Sequence, residues 1–172
     1  MHQPRDRSAK NRFRPLAWLT RRLSDRPDSE HEQAVVRVAV VSVILAYLAA
    51  YAHWLQPESG VMLPAMALAG GFLGASLIYL LWLLISPGRS HPRRVLANLM
   101  DHGTLSLLML WYGESVAPLY IVFLWVVIGN GLRYGRAYLF LSMVVALFGF
   151  ATVISTNPYW QDNTTLAWGL LA

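Results

Sequence analysis

The stretch AVVRVAVVSVILAYLAAYAHWL, residues 34–55, holds a single Lys, Arg, Asp or Glu, Arg37. A bilayer-spanning helix needs roughly 17 to 25 predominantly apolar residues, and this run is long enough. Four more runs follow at 61–85, 95–112, 117–132 and 137–154, the fourth being the shortest, and another begins at 166–172, where the sequence stops. Composition agrees: 56% of the 172 residues are hydrophobic and 13% charged, against about 25% charged in an ordinary soluble domain. The expected fold class is all-α integral membrane, a polytopic helical bundle with five complete transmembrane helices and the start of a sixth. Residues 1–33 form a basic juxtamembrane segment and 34–172 the transmembrane module. The first 33 residues have no apolar core and no small-residue cleavage site, so they do not read as a signal peptide.

The distribution of charge predicts topology. Fourteen Lys and Arg stand against nine Asp and Glu, a net +5. Eight basic residues precede the first run, Arg89, Arg93 and Arg94 fall in the second connector, and Arg133 and Arg136 in the fourth. The first, third and fifth connectors carry none, and hold Glu58, Glu114 and Asp162 instead. Arg37, in the first turn of its run, is expected to snorkel back toward the N-terminal side. Because cytoplasmic loops carry the excess of Lys and Arg, the N-terminus is predicted to be cytoplasmic, with six crossings. Trp54, Trp111, Tyr112, Tyr120, Tyr159 and Trp160 gather beside the charge-poor connectors, as an interfacial belt does. Within the N-terminal segment, residues 15–23 place Leu16, Leu19 and Leu23 at helical spacing, which suits either a short helix lying on anionic lipid or a disordered basic tail.

Polar groups inside the apolar runs are the candidates for function, since an ionisable side chain at that depth is costly unless it faces protein or water. Asn98, Asp101, His102 and Ser106 fall within one arc of the third helix. They read as a hydrogen-bond network holding the bundle together or as a ligand-binding or transmitting stripe. In the second run, Ala67, Gly71 and Ala75 form one small-residue row and Gly70 and Gly74 another; intramolecular packing is the expectation for them, with dimerisation the alternative. No catalytic constellation and no Gly-rich phosphate loop is present, and a lone His–Asp neighbour pair does not aim two ligands at one metal. No cofactor, metal or nucleic-acid partner is expected. The absence of cysteine excludes disulfides and thiolate sites.

Four segments carry a resemblance: RRLSDRPDSEHEQ (21–33), SHPRR (90–94), APLYIVFLWVVIGNGLRYGRAYL (117–139) and NPYW with LAWGLL (157–171). They resemble the membrane input domain of RpfC-type hybrid sensor histidine kinases, which receive a diffusible cis-2-unsaturated fatty acid in bacterial quorum sensing. The resemblance implies a sensory module in the bacterial inner membrane, the two-component kinase core lying outside this chain and forming a homodimer in the parent protein. It also implies signal recognition by a juxtamembrane segment in which Arg26, Asp28, Ser29, Glu30 and Gln33 match the family motif. Asn98, Asp101, His102, Asn130 and Arg133 are the expected transmission or intramembrane polar network. The family arrangement places the recognition segment in the periplasm with five crossings; the charge count places it in the cytoplasm with six. A small membrane scaffold or regulator and a transporter-like unit are the alternative functions. The glycines of IGNG (128–131) are expected to end or loosen the fourth helix, with a hinge as a further possibility.

Overall fold

A computed structural model describes residues 30–55, 60–86 and 88–171, and every regular element among them is helical. Helices α1 (Glu30–Trp54), α2 (Leu63–Ile85) and α3 (His91–Tyr112) are followed by a 3-10 segment, Gly113–Leu119. Then come α4 (Tyr120–Tyr134), α5 (Arg136–Thr156), α6 (Pro158–Asp162) and α7 (Thr164–Leu171). Prolines start three of them: Pro64, Pro92 and Pro158 stand in the first helical turn, where the missing N–H has no intrahelical partner to lose.

Four helical stretches are long and apolar enough to cross a membrane: Glu30–Trp54, Leu63–Ile85, His91–Tyr134 and Arg136–Thr156. The third joins the runs expected at 95–112 and 117–132 into one helical stretch of 44 residues, but it is not a straight rod. Near the start of α3 the Arg94 guanidinium lies 4.4 Å from the ring centre of Tyr134, the last residue of α4. The 3-10 segment therefore reverses the chain and α4 runs back along α3. At one end of the bundle Glu30 meets Arg93 and Arg94, and His91 meets Tyr138. At the other, the Tyr47 hydroxyl donates to the Ser115 carbonyl and the Asn157 amide to the Leu110 carbonyl. Tyr120 reaches the Leu170 carbonyl of α7.

The interior is layered. Leu48, Leu108, Met109, Val116, Phe123, Phe150 and Trp160 form the core toward the charge-poor end. Phe150 is its hub, with ring centres 4.8 Å from Tyr120 and 5.2 Å from Trp160. Outside, large apolar side chains stand bare: Ile121 is 71% exposed, Phe148 78% and Leu132 84%. Lipid is the environment that makes such a surface favourable.

The small-residue rows of α2 depart from the packing expectation. Gly70, Gly71 and Gly74 have no described atom near the place a Cβ would take, and Ala67 and Gly71 are exposed. The buried side of α2 is instead Ala65, Ala69, Ser76 and Leu83. The small residues the bundle does bury, Ala65 and Ala69, lie on the side of the helix opposite those rows.

Gly113, at φ +46°, is where α3 gives way to the reversal; a Cβ there would sit 2.9 Å from Asn157 Oδ1 and 3.1 Å from Tyr159 Cβ. Gly113→Ala is expected to destabilise the bundle by about 1–3 kcal/mol, since left-handed backbone and a steric clash act together. Detergent-induced unfolding followed by tryptophan fluorescence would measure it.

Candidate functional site

The apolar run begins at residue 34, but the chain is already helical at Glu30, the first described residue. The extra turn places Glu30, Gln33 and Arg37 at spacings of three and four, on one face of the helix. Each of the three reaches a different part of the bundle. The Glu30 side chain is fully buried and accepts from Arg93 Nε at 3.0 Å through one oxygen and from Arg94 Nε at 2.5 Å through the other. Its carboxylate also faces the N-terminus of α3, where the Ser90 amide points at it from 3.4 Å, an orientation the helix dipole favours. Arg93 is held further by the carbonyls of Ser86 and Gly88.

One turn on, Gln33 Nε2 donates to Asn130 Oδ1 at 2.8 Å, and Asn130 Nδ2 donates to Ser142 Oγ at 3.2 Å. This relay links α1, α4 and α5. Arg37 then grips both oxygens of Asp101 on α3, Nε to Oδ1 at 2.6 Å and Nη2 to Oδ2 at 2.8 Å. The snorkelling expected of Arg37 does not occur: its side chain is 7% exposed, Asp101 takes both arms of the guanidinium, and the Tyr79 ring lies 5.0 Å away. A bidentate pair on the interior satisfies the charge more completely than the distant interface would.

The three arms of α1 bound a slot. α1 packs chiefly on α2, and between α1, α3 and α4, with Ala69 and Phe72 of α2 on its wall, a narrow cavity of about 60 Å³ remains. Its walls are aliphatic over most of its length, among them Val40, Ile44, Leu108 and Val126; its charged and amide groups, Gln33, Arg37, Asp101 and Arg133, gather toward one end, and Thr104 stands one turn beyond Asp101.

The IGNG stretch divides its residues between neighbours. Asn130 is the relay. Gly131 faces α5, where a Cβ would meet the Leu139 side chain at 2.7 Å, so the glycine lets α4 and α5 close on each other. At Gly129 a Cβ would meet Arg133 Nη1 at 3.2 Å; the glycine leaves room for that guanidinium to lie back along α4 beside the slot. The helix continues through all three glycine and asparagine positions and ends at Tyr134, with Gly135 at φ +89° making the turn into α5.

The remaining expected site residues fall apart into separate places. Arg26, Asp28 and Ser29 lie outside the described residues. Asp101 turns to α1, whereas His102 packs edge-on against Phe123 of α4 and Ser106 abuts Gly149 of α5. Asn98 and His102 are each 1% exposed, and the Asn98 amide and His102 Nε2 have no hydrogen-bond partner among the described residues. The polar stripe is thus divided among three neighbours, α1, α4 and α5. In the sequence Arg93 and Arg94 read as topology markers and Tyr134 as an interfacial ring; that Tyr134 and Tyr138 cover Arg94 at 4.4 and 5.9 Å is decided by the fold. The available signal was Glu30 itself, an acid beside an apolar run that had to find cations.

An all-helical, multi-pass membrane bundle whose first helix is joined by charged and amide side chains to the other helices is the class this geometry defines. Within it, the chain is homologous to the N-terminal region of RpfC. Over 158 residues it is 39% identical to the sensory/regulatory protein RpfC of two strains of Xanthomonas campestris pv. campestris, a match that takes in 91% of this chain. The chain spans about a fifth of those relatives' length, 21%. No family model matches, nor does any solved structure.

Proposed function

We propose that this chain is the membrane sensory region of a two-component hybrid histidine kinase, perceiving a diffusible fatty-acid signal and passing the event to a kinase core outside the chain. The observation that carries the reading is the Glu30, Gln33 and Arg37 face of α1. The segment matched to the recognition motif, residues 26–33, includes Glu30 and Gln33 of this face, and the face contacts α3, α4 and, through Asn130, α5. A ligand that displaces the start of α1 acts on all of these contacts at once, which is what a two-state bundle requires of its input. The homology to a sensory/regulatory protein supports the same reading.

In this reading Arg26, Asp28, Ser29, Glu30 and Gln33 sense the ligand, and Asn98, Asp101, His102, Asn130 and Arg133 belong to the transmitting network. The bundle sits in the bacterial inner membrane with the arginine-bearing end in the cytoplasm; α1 to α5 make five crossings and α7 begins a sixth. The parent kinase supplies the homodimer. The scaffold alternative draws on the outward-facing small residues of α2, Ala67 and Gly71 among them, which permit a helix contact without requiring one, and a transport path through Asp101 is disfavoured because both carboxylate oxygens are held by Arg37.

The test is saturable binding of a cis-2-unsaturated fatty acid to the chain in nanodiscs. Gln33→Ala, which removes the hydrogen bond to Asn130, is expected to weaken binding up to about tenfold, in line with roughly 0.5–1.5 kcal/mol for one such bond. Absence of saturable binding in every lipid composition would sink the sensor reading.

A further inference from the structure

The slot between α1, α3 and α4 has a charge imbalance at its polar end. Arg37 and Asp101 cancel each other. Arg133, half-buried on the same rim, has no ion-pair partner among the described residues, so the rim carries one net positive charge. From Gln33 to Ile44 the slot follows α1 over twelve residues, about 16 Å for eleven steps of 1.5 Å, and beyond the rim its walls are aliphatic and aromatic apart from Thr104.

We infer that this slot is a binding site for a single-chain monocarboxylate, with the carboxylate on Arg133 and the hydrocarbon tail between Val40 and Val126. The inference rests on the fatty-acid reading above and places the ligand inside the bundle, beyond the juxtamembrane motif. Inside a bilayer the tail gains little by leaving lipid for protein, because lipid chains are as apolar as the slot. Discrimination therefore falls to the head group, and a guanidinium offers a carboxylate two parallel charge-assisted hydrogen bonds. One spare positive charge matches one negative charge, and a cavity of about 60 Å³ is too narrow for a two-chain phospholipid. Gly129 belongs to the same site, since its missing side chain is what lets the Arg133 guanidinium lie against α4 beside the opening.

Bound ligand would bridge Arg133 on α4 to the walls of α1 and α3 beside the Gln33 relay. Occupancy would thereby bear on the contacts that hold α1, and Arg133 acts as a ligand-binding residue.

The experiment uses the full chain in phosphatidylcholine nanodiscs with dodecanoic acid carrying a diazirine on its tail, photolysed with and without excess unlabelled dodecanoic acid, the adducts being mapped by mass spectrometry. The expected result is competable labelling on Val40, Val126 or their slot neighbours. Arg133→Gln should weaken it at least tenfold, Arg133→Lys should retain part of it, and Arg136→Gln, an exposed arginine off the slot, should leave it unchanged. Val126→Trp, filling the slot with Arg133 intact, should abolish it. Competable labelling that maps elsewhere, or that is indifferent to both Arg133→Gln and Val126→Trp, would overturn the slot and leave the sensor reading standing. Labelling displaced equally by phosphatidylglycerol would overturn the choice of a free carboxylate, and no competable labelling at all would remove both.

Discussion

Asp101→Ala is expected to destabilise the bundle by about 3–5 kcal/mol, the range seen when one partner of a buried ion pair is removed. Its effect should be large because Arg37, 7% exposed, would keep its charge with no second carboxylate beside it. The energy lost is mostly the cost of a stranded cation and only in small part the worth of the pair. A double replacement separates the two: Arg37→Met with Asp101→Leu removes both charges at similar volume and should be neutral or stabilising. Unfolding in mixed micelles with rising SDS, followed by tryptophan fluorescence, measures both. If the double variant were as unstable as the single one, the pair itself and not the stranded charge would be the source of stability.

Glu30→Ala should cost a similar amount, about 3–5 kcal/mol by the same argument, and it should act at one end of the bundle. Glu30 is the shared anion for Arg93, 3% exposed, and Arg94, 11% exposed. Arg93 would retain the carbonyls of Ser86 and Gly88, and Arg94 the rings of Tyr134 and Tyr138. Local opening is therefore the expected form of the damage. Hydrogen exchange should rise in the first turns of α1 and α3 before it rises at the Phe150 and Trp160 end, whereas Asp101→Ala should loosen the middle of both helices. Uniform protection loss in Glu30→Ala would show that the two ends do not open independently.

The helical membrane class was legible because it depends on composition and run length, quantities any single sequence carries. The alternation of charged and charge-free connectors likewise matched the ends at which the structure gathers Glu30, Arg93, Arg94 and Tyr134. The partners of the polar groups were not legible. Asn98, Asp101, His102 and Ser106 share an arc of one helix, and an arc of about 140° is wide enough to face several neighbours; which residue turns to α1, which to α4 and which to α5 depends on where those helices stand. The glycine rows of α2 failed for the same reason, since small side chains permit close packing on a face without requiring it.

The sequence by itself determined that this chain is helical, that it is built for lipid, and which of its connectors share a side, because hydrophobic run length and arginine placement are local properties read directly from the order of residues. Only the tertiary structure decided that Arg37 is spent on Asp101, that Glu30 holds two arginines, that Gln33 and Asn130 meet across 97 positions of chain, and that Arg133 is left facing an apolar slot. Those pairings arise from helices brought side by side, and a bidentate contact at 2.6 and 2.8 Å exists only when both helices have taken their final rotation.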